Sequence, residues 1–201
     1  MTSPDSDTKA RILVAAEEEF LARGYERSRT QAIANRAGIN KALLHYHFRT
    51  KEELFAQIFR ERTKRLLPEA QAELSQGGDF IAFVCKFIDL YLAFLQDNPF
   101  LPSYLLQISA NHPELLKQVR LDLPKPFIAA FEAEVRAKRI RPHDGQQFFV
   151  SLLGMCVLPF AGNNLLKHAL GLDQQSFDAL LHSRAEELKR CVVLLLTPAE
   201  N

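Results

Sequence analysis

The side chains that carry out covalent or metal chemistry in proteins are scattered along this 201-residue chain. The three cysteines, Cys85, Cys156 and Cys191, stand apart from one another within apolar stretches. His45 and His47 are separated by one residue, a step of about 200° on a helix, so they are poorly placed to share a metal ion. The sequence contains no nucleophile-elbow, phosphate-loop, zinc-protease or C-x-x-C motif. We therefore predict no enzymatic activity, no metal site and no cofactor.

Basic side chains are the chemistry that this sequence does concentrate. The whole chain has 25 Lys plus Arg and 24 Asp plus Glu, a formal net charge of +1 that gives no sign of a nucleic-acid partner. Residues 21–65, however, hold 11 basic and 4 acidic side chains, a net charge of +7, whereas residues 66–201 carry −3. This asymmetry favours a polyanion contact near the N-terminus. A basic face that contacts only solvent is the alternative that charge alone leaves open.

The composition is typical of a globular protein. Hydrophobic residues make up 47% and charged residues 24%, which excludes global disorder. The N-terminus lacks a basic segment followed by an apolar run, so we expect no signal peptide. The uncharged stretch 146–166 has the length of a membrane span, but it contains Pro159, Asn163 and Asn164. We interpret it as a core or subunit-interface helix and predict a cytoplasmic protein with no membrane segment.

Two short helices joined by a tight turn are predicted between residues 28 and 48. Ser28 is the predicted N-cap of a helix that ends near residue 36, with Ile33 and Ala37 facing inward. Gly38 supplies a left-handed turn, and Asn40 caps a second helix that ends near residue 48. Two such helices around a glycine-containing turn form the helix-turn-helix pattern.

Longer helices flank this pair. One is predicted from about residue 8 to Gly24, capped by Asp7 or Thr8, and another opens with a capping box at Thr50 and Glu53 and ends near residues 76–79. Apolar spacing in the rest of the chain indicates a larger helical body. Its last two helices, at about 144–166 and 174–196, are predicted to pair with a second copy, with a single-chain core as the alternative.

The segment of residues 24–54, GYERSRTQAIANRAGINKALLHYHFRTKEEL, resembles the N-terminal signature of the TetR family of bacterial transcriptional regulators. The matching positions follow in order without an insertion: Gly24, Tyr25, Ser28, Ile33, Ala34, Ala37, Gly38, Ile39, Lys41, Leu44, Phe48, Lys51, Glu52, Glu53 and Leu54.

The resemblance implies an all-α protein with an N-terminal three-helix helix-turn-helix DNA-binding domain and a larger C-terminal helical domain for ligand binding and dimerisation. The corresponding boundaries are a flexible tail over residues 1–7, the DNA-binding domain over 8–50, and the effector-binding and dimerisation domain over 51–201.

The second short helix is the predicted recognition helix. Its N-terminal half is the part that meets base edges, where Lys41 donates to guanine and Ala42 or Leu43 contacts a thymine methyl group. Backbone amides at the start of the preceding helix are predicted to bind a phosphate. The resemblance adds backbone contacts by Tyr46, His47 and Lys51. The full predicted DNA-binding set is Ser28, Arg29, Thr30, Asn40, Lys41, Ala42, Leu43, His45, Tyr46, His47 and Lys51.

The C-terminal body is rich in aromatic residues and has few charges among them, so we predict an apolar or aromatic ligand there. Most of the candidate pocket residues are expected to be ordinary core: Phe83, Phe87, Tyr91, Phe94, Tyr104, Ile108, Phe127, Phe131 and Phe149.

The leading hypothesis is a ligand-responsive repressor in the bacterial cytoplasm, associated with the nucleoid when bound. It binds a pseudo-palindromic double-stranded operator as a homodimer and is released by an unknown small-molecule effector. A DNA-binding protein without an effector and an all-helical small-molecule carrier are the alternatives.

Overall fold

A computed structural model describes residues 4–75, 78–111, 113–118 and 123–198. Over those ranges the chain forms ten α-helices and one 3₁₀ helix, with no strand, as the predicted all-α class requires. The first five helices are α1 (Pro4–Arg23), α2 (Thr30–Arg36), α3 (Lys41–His47), α4 (Lys51–Ser75) and α5 (Phe80–Asp97). The others are α6 (Leu101–Asn111), the 3₁₀ helix (Pro113–Gln118), α7 (Pro124–Arg136), α8 (Gly145–Ala161), α9 (Asn163–Leu170) and α10 (Gln174–Leu196).

The chain divides into two compact units. The first comprises Met1–Lys64 and Ser103–Arg120, and the second comprises Arg65–Pro102 and Leu121–Asn201. The first unit is larger than the predicted 8–50 domain because it includes the first half of α4 and most of α6.

Aromatic side chains form the centre of the first unit. The ring of Tyr104 on α6 lies 5.8 Å from that of Phe20 on α1 and 5.6 Å from that of Phe55 on α4. The Tyr104 hydroxyl donates to the backbone carbonyl of Phe20 at 2.6 Å. Ile108 is buried in the same unit. Tyr104 therefore packs with the N-terminal helices, and both Tyr104 and Ile108 belong to a different unit from the C-terminal phenylalanines with which the sequence analysis grouped them.

Helix α1 begins at Pro4, within the segment predicted as a flexible tail, and residues 1–3 lie outside the described ranges. Asp7 and Thr8 therefore lie inside the helix and do not cap it. Proline is favoured in the first turn of a helix, where its missing N–H removes no hydrogen bond. Asp5 and Asp7 in that turn interact favourably with the positive end of the helix dipole.

A cluster of stacked and tilted rings fills the second unit. Along α5 the Phe87 and Tyr91 rings are 5.4 Å apart and stacked, and Tyr91 stacks in turn on Phe94. Phe127 of α7 is fully buried and contacts rings of α5 and α8, including Phe149 at 5.1 Å. The buried residues of α10 that join this core are Leu188, Val192 and Leu196.

The predicted single helix over 144–166 is wrong, because the chain bends by 82° between α8 and α9. Pro159 has no N–H to donate to the carbonyl of Met155, and Arg184 of α10 donates to that carbonyl instead, at 3.1 Å. At Gly162 an added Cβ would lie only 3.2 Å from the carbonyl oxygen of Leu158, so a side chain fits poorly there. Helix α10 has the predicted bounds. The predicted break after α4 at residues 76–77 lies outside the described ranges.

No single helix in the described ranges is long and apolar enough to cross a membrane. Helices α8 and α9 meet that test only as a bent pair.

Candidate DNA-binding surface

Helix α3 presents an open polar face and is anchored by two apolar side chains. Leu44 and the C-cap residue Phe48 are buried, whereas Lys41 and Ala42 are exposed. Tyr46 is 78% exposed. Of the remaining predicted contacts on this helix, Leu43 and His45 are also exposed. This face therefore brings together the residues that the sequence assigns to the major groove.

The turn before α3 has the predicted geometry. Gly38 adopts φ +67°, a conformation that residues with a side chain rarely take. The next amide, that of Ile39, returns to the carbonyl of Ala34 at 3.0 Å and closes the end of α2. Asn40 is the N-cap, and its side chain accepts from the amide of Leu43 at 2.8 Å. Asn40 therefore has a structural role that occupies the side-chain oxygen.

Ser28 does not cap α2 as predicted. Helix α2 begins at Thr30 with Arg29 as N-cap, and Ser28 is buried. Its hydroxyl donates toward the carbonyl of Gly24, just after α1, at 2.6 Å and toward that of Glu19 in α1 at 3.2 Å. Ser28 is thus excluded from direct DNA contact, while Arg29 is exposed and Thr30 is half-buried.

Lys51 is held by the loop between α1 and α2. Its Nζ donates to the carbonyl of Tyr25 at 2.9 Å, lies 3.4 Å from the carbonyl of Ser28, and sits 4.1 Å from the centre of the Tyr25 ring. The Tyr25 hydroxyl donates to Glu52 at 2.9 Å. Burial, and then this hydrogen bond, raise the pKa of Tyr25 far above its usual range. Lys51 therefore contacts the backbone carbonyl and the ring of Tyr25, and Glu52 binds the hydroxyl.

His47 is directed toward α1. Its side chain is only 6% exposed, and its Nε2 lies 3.6 Å from the carboxylate of Asp5. The neighbouring Tyr46 ring packs edge-on against the imidazole at 5.3 Å. The backbone-binding role that the resemblance implies for His47 therefore fits this geometry poorly. His45, in contrast, is exposed, with Nδ1 3.2 Å from the carbonyl of Arg49.

Acidic residues of α1 neutralise part of the basic segment. Arg36 pairs with Glu18 at 3.2 Å and with the buried Glu19 at 3.5 Å. Arg62 pairs with Glu17. Residues 1–20 carry two basic and five acidic side chains, a net charge of −3, which reduces the +7 of residues 21–65 to +4 for residues 1–65. The excess positive charge is therefore smaller than the segment count indicated.

The described ranges contain no group of three or more His, Cys, Asp and Glu side chains that could hold a metal ion. The three cysteines are unpaired, and Cys156 is buried, which raises the pKa of its thiol to about 12.

Residues 12–58 match the family model described as "Bacterial regulatory proteins, tetR family". Over these residues the chain is similar to TetR-family regulators. That match covers α1, α2, α3 and the first turns of α4. The resemblance drawn from residues 24–54 is thus confirmed.

Two relatives of this chain are named as transcriptional proteins. The HTH-type transcriptional activator FasR of Mycolicibacterium smegmatis is 24% identical over 157 residues, which cover 77% of this chain and 71% of FasR. The regulator YdgC of Bacillus subtilis is 26% identical over 140 residues, 68% of this chain and 70% of YdgC. These names support the prediction that the chain is not an enzyme.

The fold is shared with solved structures. A protein from Saccharomonospora viridis, described as a transcriptional regulator and solved in complex with choline, superposes with a TM-score of 0.72 at 20% identity, covering 96% of this chain and 100% of the other. At that identity the likeness shows the fold alone.

Some residues that join the helices of the first unit to one another were not predicted from the sequence. Asp5, Arg36 and Tyr104 bind other elements through contacts that lie 18 to 84 residues apart in the chain. Periodicity within one helix carries no signal for such pairs. The one available hint was the acidic run Glu17, Glu18 and Glu19, which faces the basic segment.

Proposed function

We propose that this chain is a TetR-family regulator, that it binds a pseudo-palindromic operator as a homodimer and acts as a repressor, and that a small apolar or aromatic ligand releases it. The observation that supports DNA binding is the exposed face of α3, which carries Lys41, Ala42 and Tyr46. Buried Leu44 and Phe48 hold the opposite side of this helix in the core. In a dimer, two such helices would lie about one DNA turn apart, ~34 Å.

Each exposed side chain of α3 has a matching partner in the major groove. The ammonium of Lys41 complements guanine O6 and N7. Ala42 permits close approach, and Leu43, 37% exposed, offers a methyl-rich surface to a thymine. Tyr46 and the exposed Arg29 are suited to phosphate oxygens. Lys51 already donates to protein carbonyls, so we assign it to positioning the α1–α2 loop, with one N–H left for a phosphate.

Exposed apolar residues on the last helices support dimerisation. Val150 and Leu158 of α8 and Leu194 of α10 are each more than half exposed. If these side chains form one patch, they are suited to an interface between two copies of the chain. We propose that the homodimer forms through the predicted segments 144–166 and 174–196, in which α9 branches away from α8.

The proposed effector site is the aromatic core of the second unit. The candidate residues on α5, α7 and α8 do lie together, but their rings are already in contact, as Phe127 and Phe149 show. A ligand bound there must separate these rings, so its binding and the shape of the core would be coupled. One relative is named an activator and one structural neighbour was solved with choline. Transcription from the operator distinguishes repression from activation, and an effector screen identifies the ligand.

Binding-site selection from random duplexes is the experiment that tests DNA recognition. The selected duplex should bind wild-type protein with a steep dependence on salt concentration. Lys41→Ala should weaken binding about tenfold or more and relax the preference at one base pair. The exposed Lys125 of α7 provides the control, since Lys125→Ala removes an equal charge outside the first unit.

A failure to enrich any sequence, together with salt-independent binding, would contradict the proposal and favour the small-molecule carrier. Normal operator binding that no compound from an effector screen relieves would favour a DNA-binding protein without an effector. In the proposed role the protein acts in the bacterial cytoplasm and is associated with the nucleoid when bound.

A further inference from the structure

The second unit contains an open cleft at one end of the two segments proposed to dimerise, and the proposed DNA contacts of α3 do not include any of its lining residues. Its volume is about 420 Å³, which lies in the range of small-molecule sites, roughly 300–1,000 Å³. The end of α5, the junction of α8 and α9, and the first turns of α10 form its walls. The aromatic cluster of α5, α7 and α8 contributes none of its own candidate pocket residues to this lining.

The 82° bend after α8 explains why a cleft exists here. If α8 continued straight beyond Ala161, residues 163–167 would extend its axis. Instead α9 turns away and carries Asn163 and Lys167 to the cleft, beside Phe160 at the end of α8. Across from them, Phe177 and Leu181 of α10 supply an apolar wall.

Two opposite charges line the cleft, and each is paired with a neutral amide. The Nζ of Lys167 donates to Oε1 of Gln174 at 2.9 Å. The Nε2 of the same amide donates to Oδ1 of Asp178 at 2.8 Å. Within the described ranges, neither Lys167 nor Asp178 has an oppositely charged group at ion-pair distance. Gln174 therefore separates a cation and an anion that both retain unused hydrogen-bonding capacity.

Both charged groups can be reached from solvent, since Asp178 is exposed and Lys167 is half-buried. Phe160 and Phe177 are almost fully buried and form the packed base of the cleft, whereas Pro99 and Leu181 are its more accessible apolar residues. The Nζ of Lys167 lies 5.9 Å from the centre of the Phe177 ring. The imidazole of His182, also in the lining, has Nδ1 2.7 Å from the carbonyl of Asp178. The lining thus has one positive and one negative side chain beside a hydrophobic surface.

We propose that this cleft binds a free α-amino acid with an apolar side chain. The ligand carboxylate pairs with Lys167, its ammonium pairs with Asp178, and its side chain packs against Pro99 and Leu181. A zwitterion satisfies both charges at once, whereas a simple acid or amine satisfies one and leaves the other against a like or uncharged group. This inference goes beyond the proposed function, because the cleft requires no DNA.

Calorimetric titration of the full-length protein tests the proposal. L-leucine and L-phenylalanine are compared with N-acetyl-L-leucine, which lacks the ammonium, and with isoamylamine, which lacks the carboxylate. We expect saturable binding of one amino acid per chain and at least about tenfold weaker binding of both single-charge analogues. Equal affinity for an analogue, or no saturable binding of either amino acid, would overturn the proposal.

Substitutions in the cleft provide the matched comparison. Lys167→Met and Asp178→Asn should each weaken amino-acid binding at least about tenfold, while Lys125→Met should bind as wild type does. Thermal unfolding of each variant shows whether it is folded. Operator affinity should remain unchanged in Lys167→Met, so a failure of the cleft proposal is distinguishable from a failure of the DNA-binding proposal. Unchanged amino-acid affinity in both cleft variants would place the ligand elsewhere and refute the assignment.

Discussion

At the residue scale, Lys51 combines a charge with a structural task. The resemblance assigns this position to the DNA backbone, but here its ammonium donates to the carbonyl of Tyr25 and covers the tyrosine ring. A hydrogen bond to a charged donor contributes roughly 1.5–3 kcal/mol when it is partly shielded from water. Because Lys51 is half-buried, we expect the lower end of that range.

Lys51→Met should therefore lower the free energy of unfolding by about 1–2 kcal/mol. Urea denaturation followed by circular dichroism measures this change. The exposed control Lys125→Met should leave stability within about 0.5 kcal/mol of wild type. A stable Lys51→Met variant that has lost operator binding would instead make Lys51 primarily a phosphate ligand.

Two buried tyrosines make the stability of the first unit depend on pH in the alkaline range. Burial raises the pKa of Tyr104, and burial followed by the bond to Glu52 raises that of Tyr25. The folded chain keeps these protons where the unfolded chain, with a tyrosine pKa near ~10, loses them. The stability that these two tyrosines contribute is therefore fully present below pH ~10 and falls as the pH rises beyond it.

The raised thiol pKa of Cys156 should start a decline of the urea midpoint above pH ~8.5, and the two tyrosines should steepen that decline above pH ~10. In the double variant Tyr25→Phe with Tyr104→Phe, the decline should be shallower, because two of the linked protons are gone. Tyr46→Phe, on the exposed face of α3, is the matched control. Identical slopes in the double variant and the wild type would contradict the linkage.

At the scale of elements, a donor from α10 replaces the hydrogen bond that Pro159 removes from α8. Pro159 leaves the Met155 carbonyl without its partner one turn later, and Arg184 of α10 supplies the N–H. Arg184 thus links α10 to α8 at the point where the α8 hydrogen-bond ladder is interrupted.

A double-mutant cycle tests this link. Arg184→Met should cost about 1–2 kcal/mol of stability in the wild-type background. It should cost at least about 0.5 kcal/mol less when Pro159→Ala is present, because alanine restores the helical N–H to the Met155 carbonyl. Arg190→Met on the exposed side of α10 should show no such coupling. Strict additivity of Arg184→Met and Pro159→Ala would contradict this role of Arg184.

Local signals predicted the elements well wherever the determining contacts are close in sequence. The Gly38 turn, the Asn40 cap and the capping box at Thr50 are formed by residues within five positions of one another. The capping box is confirmed by the Glu53 amide, which donates to the Thr50 hydroxyl at 3.1 Å. The Glu53 carboxylate accepts a hydrogen bond from the backbone amide of Arg49.

The errors concern residues whose partners lie far along the chain. Ser28 has the composition of an N-cap, but carbonyls in and just after α1 compete successfully for its hydroxyl. The apolar run 146–166 is continuous in composition, and only the fold shows that it bends after Ala161. Tyr104 resembles the other aromatic residues by type, while its placement with Phe20 depends on a contact across 84 residues.

At the scale of the whole molecule, the exposed apolar residues of α8 and α10 are the candidates for the proposed dimer interface. Leu158→Glu combined with Leu194→Glu introduces two charges per chain on the proposed interface. Burying these carboxylates unpaired is costly, so we expect dissociation to single chains in sedimentation experiments. Operator affinity should fall with it, because one chain contacts only one half-site.

Leu106→Glu is the control for this prediction, since Leu106 is also more than half exposed but lies on α6. It should not change the sedimentation behaviour of the wild-type protein. Retention of the wild-type mass in the double variant would exclude α8 and α10 as the dimer contact.

The placement of the tyrosines allows α3 to be followed by tyrosine fluorescence. The chain contains 4 tyrosines and no tryptophan, so its ultraviolet emission comes from tyrosine alone. Tyr25, Tyr91 and Tyr104 pack against other aromatic rings, whereas Tyr46 stands largely in solvent on the recognition helix. A water-borne quencher such as iodide should therefore act mainly on Tyr46, and a bound duplex should shield it. The unlabelled protein thus carries its own reporter of operator occupancy, and subtracting the Tyr46→Phe signal isolates it.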